Sequence, residues 1–80
     1  MSGGLEVLVP RDAVAITPSD TAFVRLVGLY VGGGGNVALQ TERGGTPTLS
    51  AVPAGQTIWL RIARVLATGT TATLMVGLRE

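Results

Sequence analysis

Eighty residues, 46% hydrophobic and 14% charged with a formal net charge of +1, describe one small folded domain, because so short a chain cannot divide into two packed cores and is too apolar for disorder. Without Cys or His, disulfides, the usual structural zinc sites and nucleophiles that work through a histidine or a thiolate are excluded. All six basic residues are arginine, which removes Schiff-base lysines, Ser/Lys dyads and lysine-tipped phosphate loops.

In chain order, short β-favouring runs alternate with turn residues, the pattern of a small antiparallel sandwich or barrel. Leu5 to Val9 is the first predicted strand, closed by Pro10-Arg11-Asp12; Ala13 to Thr17 is the second, ending at Pro18-Ser19-Asp20. Thr21 to Val31 reads as one long strand. Phe23, Arg25, Val27, Leu29 and Val31 fall on one side of it, and Val24, Leu26, Gly28 and Tyr30 on the other. Gly32 to Gly35 with Asn36 predicts a flexible or tightly turning hairpin loop, returning through a strand from Val37 to Thr41. Glu42-Arg43-Gly44-Gly45 predicts a second hairpin into Thr46 to Val52, where Pro47 marks an edge or a strand start. Pro53-Ala54-Gly55 predicts a tight turn.

Thr57 to Leu66 fits two patterns. Ile58, Leu60 and Ile62 alternate with Trp59, Arg61 and Ala63 as in a strand, while Ile58, Ile62, Val65 and Leu66 also satisfy helical spacing. Strand is preferred, because Ile, Val and Trp suit a pleated surface and Gly55 and Gly69 bound the run. Thr68-Gly69-Thr70 turns into a last strand, Thr71 to Leu78. The fold class read from these elements is all-β, a small antiparallel barrel or sandwich of about six to eight short strands. Residues 1–12 form an N-terminal arm or first strand, and residues 13–80 one β domain.

No motif in this series carries catalysis. The four glycines lack the Lys-Ser/Thr end of a phosphate loop and run into a predicted strand rather than a helix. Glu6, Asp12, Asp20, Glu42 and Glu80 each lie near a turn or terminus, where solvated turns and caps account for them, and no Asp-rich loop gathers oxygen ligands for a divalent metal. The reading is a protein that is not an enzyme and takes no cofactor and no metal. The arginines are spread along the chain, so no basic tract for nucleic acid emerges. No apolar run approaches the ~18 residues of a spanning helix, and the first residues do not resemble a secretory signal, so synthesis in a cytoplasm without membrane attachment is expected.

What remains is an interface. Trp59, Arg61, Arg64, Arg25 and Tyr30 are the candidate contact residues, since Trp, Tyr and Arg combine large buried area with a polar handle and Arg pairs bidentately with carboxylates. For Trp59 a place in the core is the competing reading. A core this small barely offsets the entropy of ordering the chain, so self-association or docking on a larger partner is the expected supplement.

Val14-Ala15-Ile16-Thr17-Pro18-Ser19-Asp20-Thr21-Ala22, Leu29-Tyr30-Val31-Gly32, Val52-Pro53-Ala54-Gly55 and Arg61-Ile62-Ala63-Arg64-Val65-Leu66-Ala67-Thr68-Gly69-Thr70-Thr71-Ala72 together resemble, in this order, a family of short proteins of tailed bacteriophages, prophages and gene-transfer particles. Arg61 to Arg64 is less uniformly basic and valine-rich than in that family, and the Gly32 to Gly35 stretch is richer in glycine. The resemblance implies a virion structural protein on the capsid surface, made in the host cytoplasm. It further implies a decoration or cement protein bound to the major capsid protein where capsomers meet, and a homotrimer suits threefold lattice positions. Residues Leu5 to Arg11, which precede the similarity, would then be an arm that orders on the shell. A trimeric base or adaptor of a head spike or tail fibre is the alternative within that class, and a small β ligand-binding or regulatory module is the alternative outside it.

Overall fold

In the computed structural model, which describes residues 9–80, the apolar alternation resolves into seven strands and, among the described residues, no helix. They are β1 (Asp12–Ala15), β2 (Gly28–Gly33), β3 (Gly35–Thr41), β4 (Thr48–Val52), β5 (Gln56–Ile58), β6 (Ile62–Val65) and β7 (Thr73–Arg79). All pairings are antiparallel, in one sheet ordered β1-β7-β2-β5 and a second ordered β4-β3-β6. The all-β expectation is met. The strand predicted over Leu5 to Val9 lies outside the described residues except for Val9, which is not in a strand.

Both long predicted strands are broken, because each serves two sheets. In the Thr21 to Val31 run, Val24 N–H donates to the Ala63 carbonyl at 2.8 Å, and Leu26 and Ile62 exchange backbone bonds at 2.8 and 2.9 Å, which extends the second sheet past β6. Val27 N–H then donates to the Leu78 carbonyl, and the chain continues as β2 in the first sheet. Arg25, between Val24 and Leu26, has a φ of 53°. The Thr57 to Leu66 run divides likewise: β5 pairs with β2, β6 pairs with β3, and Trp59, Leu60 and Arg61 form the corner between them. A third crossing follows β1, where Ile16 N–H bonds the Met75 carbonyl and Ser19 N–H the Val65 carbonyl.

Glycines 32 to 35 do not form the flexible or tightly turning hairpin loop expected, because β2 and β3 belong to different sheets. Gly32 and Gly33 end β2, Gly35 begins β3, and only Gly34 lies between the strands. Here glycine admits neighbouring backbone. A Cβ on Gly32 would lie 2.6 Å from the Leu74 carbonyl oxygen, one on Gly34 2.9 Å from that of Val52 and one on Gly35 2.8 Å from the Ala72 nitrogen. At Gly33 it would overlap the Thr73 hydroxyl.

Between the sheets sits a small core of Leu26, Leu29, Val31, Val37, Leu39, Ile62, Val65 and Met75, all buried, with no buried polar side chain among the described residues. Alternation assigns the inward positions: Leu29 and Val31 face in from β2, and their partners Gly77 and Met75 face in from β7. Gly77 is small because Leu26 fills the space above it, and a Cβ there would come within 2.5 Å of the Leu26 Cδ2. This core is enclosed by the chain's own two sheets.

Two substitutions test this account by chemical denaturation. Gly77→Ala should overpack Leu26 and lower stability by about 1–3 kcal/mol. Ala51→Gly should raise it by about 0.5 kcal/mol, since Ala51 is exposed at a φ of 54° in the left-handed region, where glycine is not strained.

Candidate interface

The outer face of the first sheet follows from the same alternation. With Leu29 and Val31 turned inward, β2 turns Gly28, Tyr30 and Gly32 outward. Register places Leu78 beside Gly28 and Val76 beside Tyr30 from β7, Ala13 beside Leu78 and Ala15 beside Val76 from β1, and Thr57 beside Tyr30 from β5. No charged residue occupies these positions. Among the described residues of this surface, Leu74 is 79% exposed, Trp59 62% and Tyr30 40%.

Trp59 reaches the face from the β5–β6 corner. Its ring lies over Gly28, with Cε3 3.0 Å from where a glycine Cβ would be, and the Leu78 Cδ1 closes on the same point at 3.3 Å. Gly28 is buried beneath this cover although it points away from the core. The indole is thus an outer-face side chain with one side packed and the rest in solvent, and the competing core reading does not apply.

The five predicted contact residues separate into three places. Trp59 and Tyr30 share the apolar face. Arg25 and Arg61 line an open groove beside it, together with Phe23, Glu42, Arg79 and Glu80. Among the described residues the ion pair of this region is Arg79 with Asp12, at 3.1 Å, and neither Arg25 nor Arg61 has one. Arg64 is elsewhere and already engaged. Its Nε donates to the Gln40 Oε1 at 2.6 Å, its terminal nitrogen to the Asp20 carbonyl at 2.9 Å, and its guanidinium lies 4.9 Å over the Phe23 ring. Arg64 therefore ties the segment before β2 onto β3 and β6.

Asp20, which sequence reasoning left as a solvated turn residue, completes that tie. Its carboxylate accepts hydrogen bonds from the Ala67 and Thr68 backbone N–H groups at 2.9 and 3.0 Å and from the Thr68 hydroxyl at 2.7 Å. The Thr68 backbone and hydroxyl bonds hold the Asp20 carboxyl below its ordinary range, and the Arg79 hydrogen bond does the same for Asp12. The signal available beforehand was Ser19-Asp20 after a proline, a pair whose short oxygens capture free N–H groups; Ser19 Oγ also accepts from Ala22 N–H at 3.2 Å. Among the described residues no three acidic side chains gather where a metal ion could be held.

With this geometry in view, a chain from the capsid of a native GTA particle, whose structure was computed with C5 symmetry, is similar over 88% of this chain and 83% of that one, at 43% identity and a TM-score of 0.78. No protein-family model and no curated protein matches.

Acid unfolding tests the carboxylate ties. Both aspartates are held below their unfolded value, so their contribution is complete above about pH 4 and is lost as pH falls through the lowered native values. Asp20→Asn should flatten the fall in stability below about pH 4. It should also speed amide exchange at Ala67 and Thr68.

Proposed function

We propose, on the premise that this chain belongs to the family of that gene transfer agent (GTA) capsid component and is a virion structural protein, that it is a capsid decoration or cement protein. It seats on the outer surface of the shell where capsomers meet, contacts the major capsid protein and acts as a homotrimer without catalytic chemistry. The observation that carries this reading is the uncharged outer face of the first sheet, which leaves Trp59, Leu74 and Tyr30 exposed beside Val76, Leu78, Ala13 and Ala15. A continuous apolar surface of this kind on a small protein marks a place that another protein covers. Cover inside an assembled particle removes that area from water and raises the work needed to pull subunits apart. Threefold lattice positions suit a cyclic trimer of so small a protein.

A second reading has one observation in its favour. The chain presents two chemically different surfaces, the apolar face and the groove in which Arg25 and Arg61 have no ion pair among the described residues, as a base carrying a head spike would need. Copy number separates the two, because a cement covers the lattice whereas a spike base occupies few positions.

Particles carrying Trp59→Ala or Arg61→Ala test the assignment. Trp59→Ala should lower occupancy on the particle about tenfold or more, as for an interface hot spot, and Arg61→Ala should lower it more modestly. Emptied particles should release DNA at lower temperature. Full occupancy of both variants, counted by mass spectrometry against the major capsid protein, would refute the cement reading.

A further inference from the structure

We propose that the outer edge of β4 takes an added strand, an extended segment of the shell protein on which this chain sits. This rests on the virion reading above and names a second contact within it. Two sheets have four outer edges, here β1, β5, β4 and β6, and an unpaired edge invites pairing with another chain unless something blocks it. Three are blocked. Along β6, Ser19 N–H bonds the Val65 carbonyl and Val24 N–H the Ala63 carbonyl, both at 2.8 Å, and Leu26 exchanges bonds with Ile62. On β1 the Asp12 carboxylate, itself paired with Arg79, takes the Ala13 N–H at 2.9 Å. The third, β5, has three residues, and its Gln56 amide donates to the Thr57 carbonyl at 3.3 Å.

The edge of β4 carries no such device. Its pairing with β3 is fixed by Leu39 N–H, which donates to the Pro47 carbonyl at 3.1 Å, and by the register of Val37 on Leu49. Opposite Thr48, Ala38 uses its backbone groups on the other side: its N–H donates to the Thr70 hydroxyl at 2.9 Å and its carbonyl accepts from Leu66 N–H at 2.8 Å. Alternation therefore turns the N–H and C=O groups of Thr48 and Ser50 outward. Among the described residues none of these four groups has a hydrogen-bond partner. Pro47 does not guard the edge, because its missing N–H would have faced β3. No charge guards it either, since residues 46–52 are Thr-Pro-Thr-Leu-Ser-Ala-Val, with Thr48 and Ser50 exposed.

Geometry selects the occupant. Donors and acceptors that repeat at every second residue are matched by another extended main chain. The open stretch is short. It is bounded on one side by the Glu42–Gly45 turn and on the other by the bulge at Ala51, whose φ is 54° and whose N–H is already held by the Asn36 Oδ1 at 2.9 Å. Two whole copies joined along so few residues would bury far less than the roughly 1,200 Å² of a stable interface. A segment of the shell protein needs no such area, because on the shell the apolar face supplies the main contact and the edge a second, tethered one.

Backbone amide exchange of the full chain, free in solution and on purified particles, tests the inference at single residues. In the free chain Thr48 and Ser50 should exchange far faster than Leu49, whose N–H faces β3; on particles both should slow about a hundredfold or more. Ser50→Pro removes one outward N–H and no bond to β3, and should lower occupancy on the particle about tenfold with the wild-type circular dichroism spectrum kept. Ser50→Ala, which keeps the N–H, should occupy particles as wild type does. The exchange comparison uses the wild-type chain and so does not depend on whether Ser50→Pro folds. Thr48 and Ser50 amides that stay fast on particles, or a folded Ser50→Pro at full occupancy, would overturn the inference. Protection of both amides in the free chain at rising concentration would overturn it too, because a copy would then fill the edge. If Trp59→Ala empties particles while Thr48 and Ser50 remain fast on wild-type ones, this inference fails and the cement reading stands.

Discussion

The structure depends on a constraint of backbone hydrogen bonding. A peptide run of ten or so residues that must pair with one sheet at its start and the other at its end cannot remain a straight strand, and three segments of this chain are in that position. Residues 24 to 26 bond to Ile62 and Ala63 before the chain enters β2, residues 56 to 58 bond to β2 before β6 joins β3, and Ile16 and Ser19 bond to different sheets within four positions. Each crossing satisfies donors and acceptors that a simple two-layer arrangement would leave at a sheet edge. The result is a core small in volume but free of buried polar side chains among the described residues.

This constraint also creates the surface to which a function is assigned. Because the β5–β6 crossing turns at Trp59, Leu60 and Arg61, the indole is swung over the outside of the sheet rather than into the interior, where Ile58 and Ile62 already take the inward positions. Arg25 and Arg61 sit at the corners of two crossings, so they face one groove although 36 positions separate them in sequence. Packing and recognition come from the same turns.

The fold class, the strand-rich segments and most turn positions were legible in the sequence because they depend on local chemistry: Val and Ile alternation, Pro-Ala-Gly at 53–55 and Glu-Arg-Gly-Gly at 42–45. The breaks in the long strands were not legible. Alternation continues across Arg25 and across Trp59 without interruption, and what breaks the strands there is pairing with residues far along the chain. The glycine run misled for a related reason. Four glycines in a row announce conformational freedom, whereas the space they leave is filled by the backbone or hydroxyls of residues 52 and 71 to 74, invisible until the strands are set side by side. Of the candidate contact residues, Trp59 and Tyr30 could be read as an outward pair once β2 parity was known. Arg64 could not be told from Arg61 by residue type, since only the fold reveals that Gln40 and Asp20 hold it.

The glycine junction between β2 and β3 bears on how such a protein can diverge. With neighbouring main chain pressed on Gly32, Gly34 and Gly35 and the Thr73 hydroxyl on Gly33, the junction accepts no side chain without shifting Leu74, Val52, Ala72 or Thr73. Gly44, by contrast, stands in open space, where an added Cβ meets nothing within 4 Å. A side chain at Gly44 would therefore meet only the backbone strain of its φ of 98°, whereas one at the glycine junction must also displace atoms of neighbouring segments.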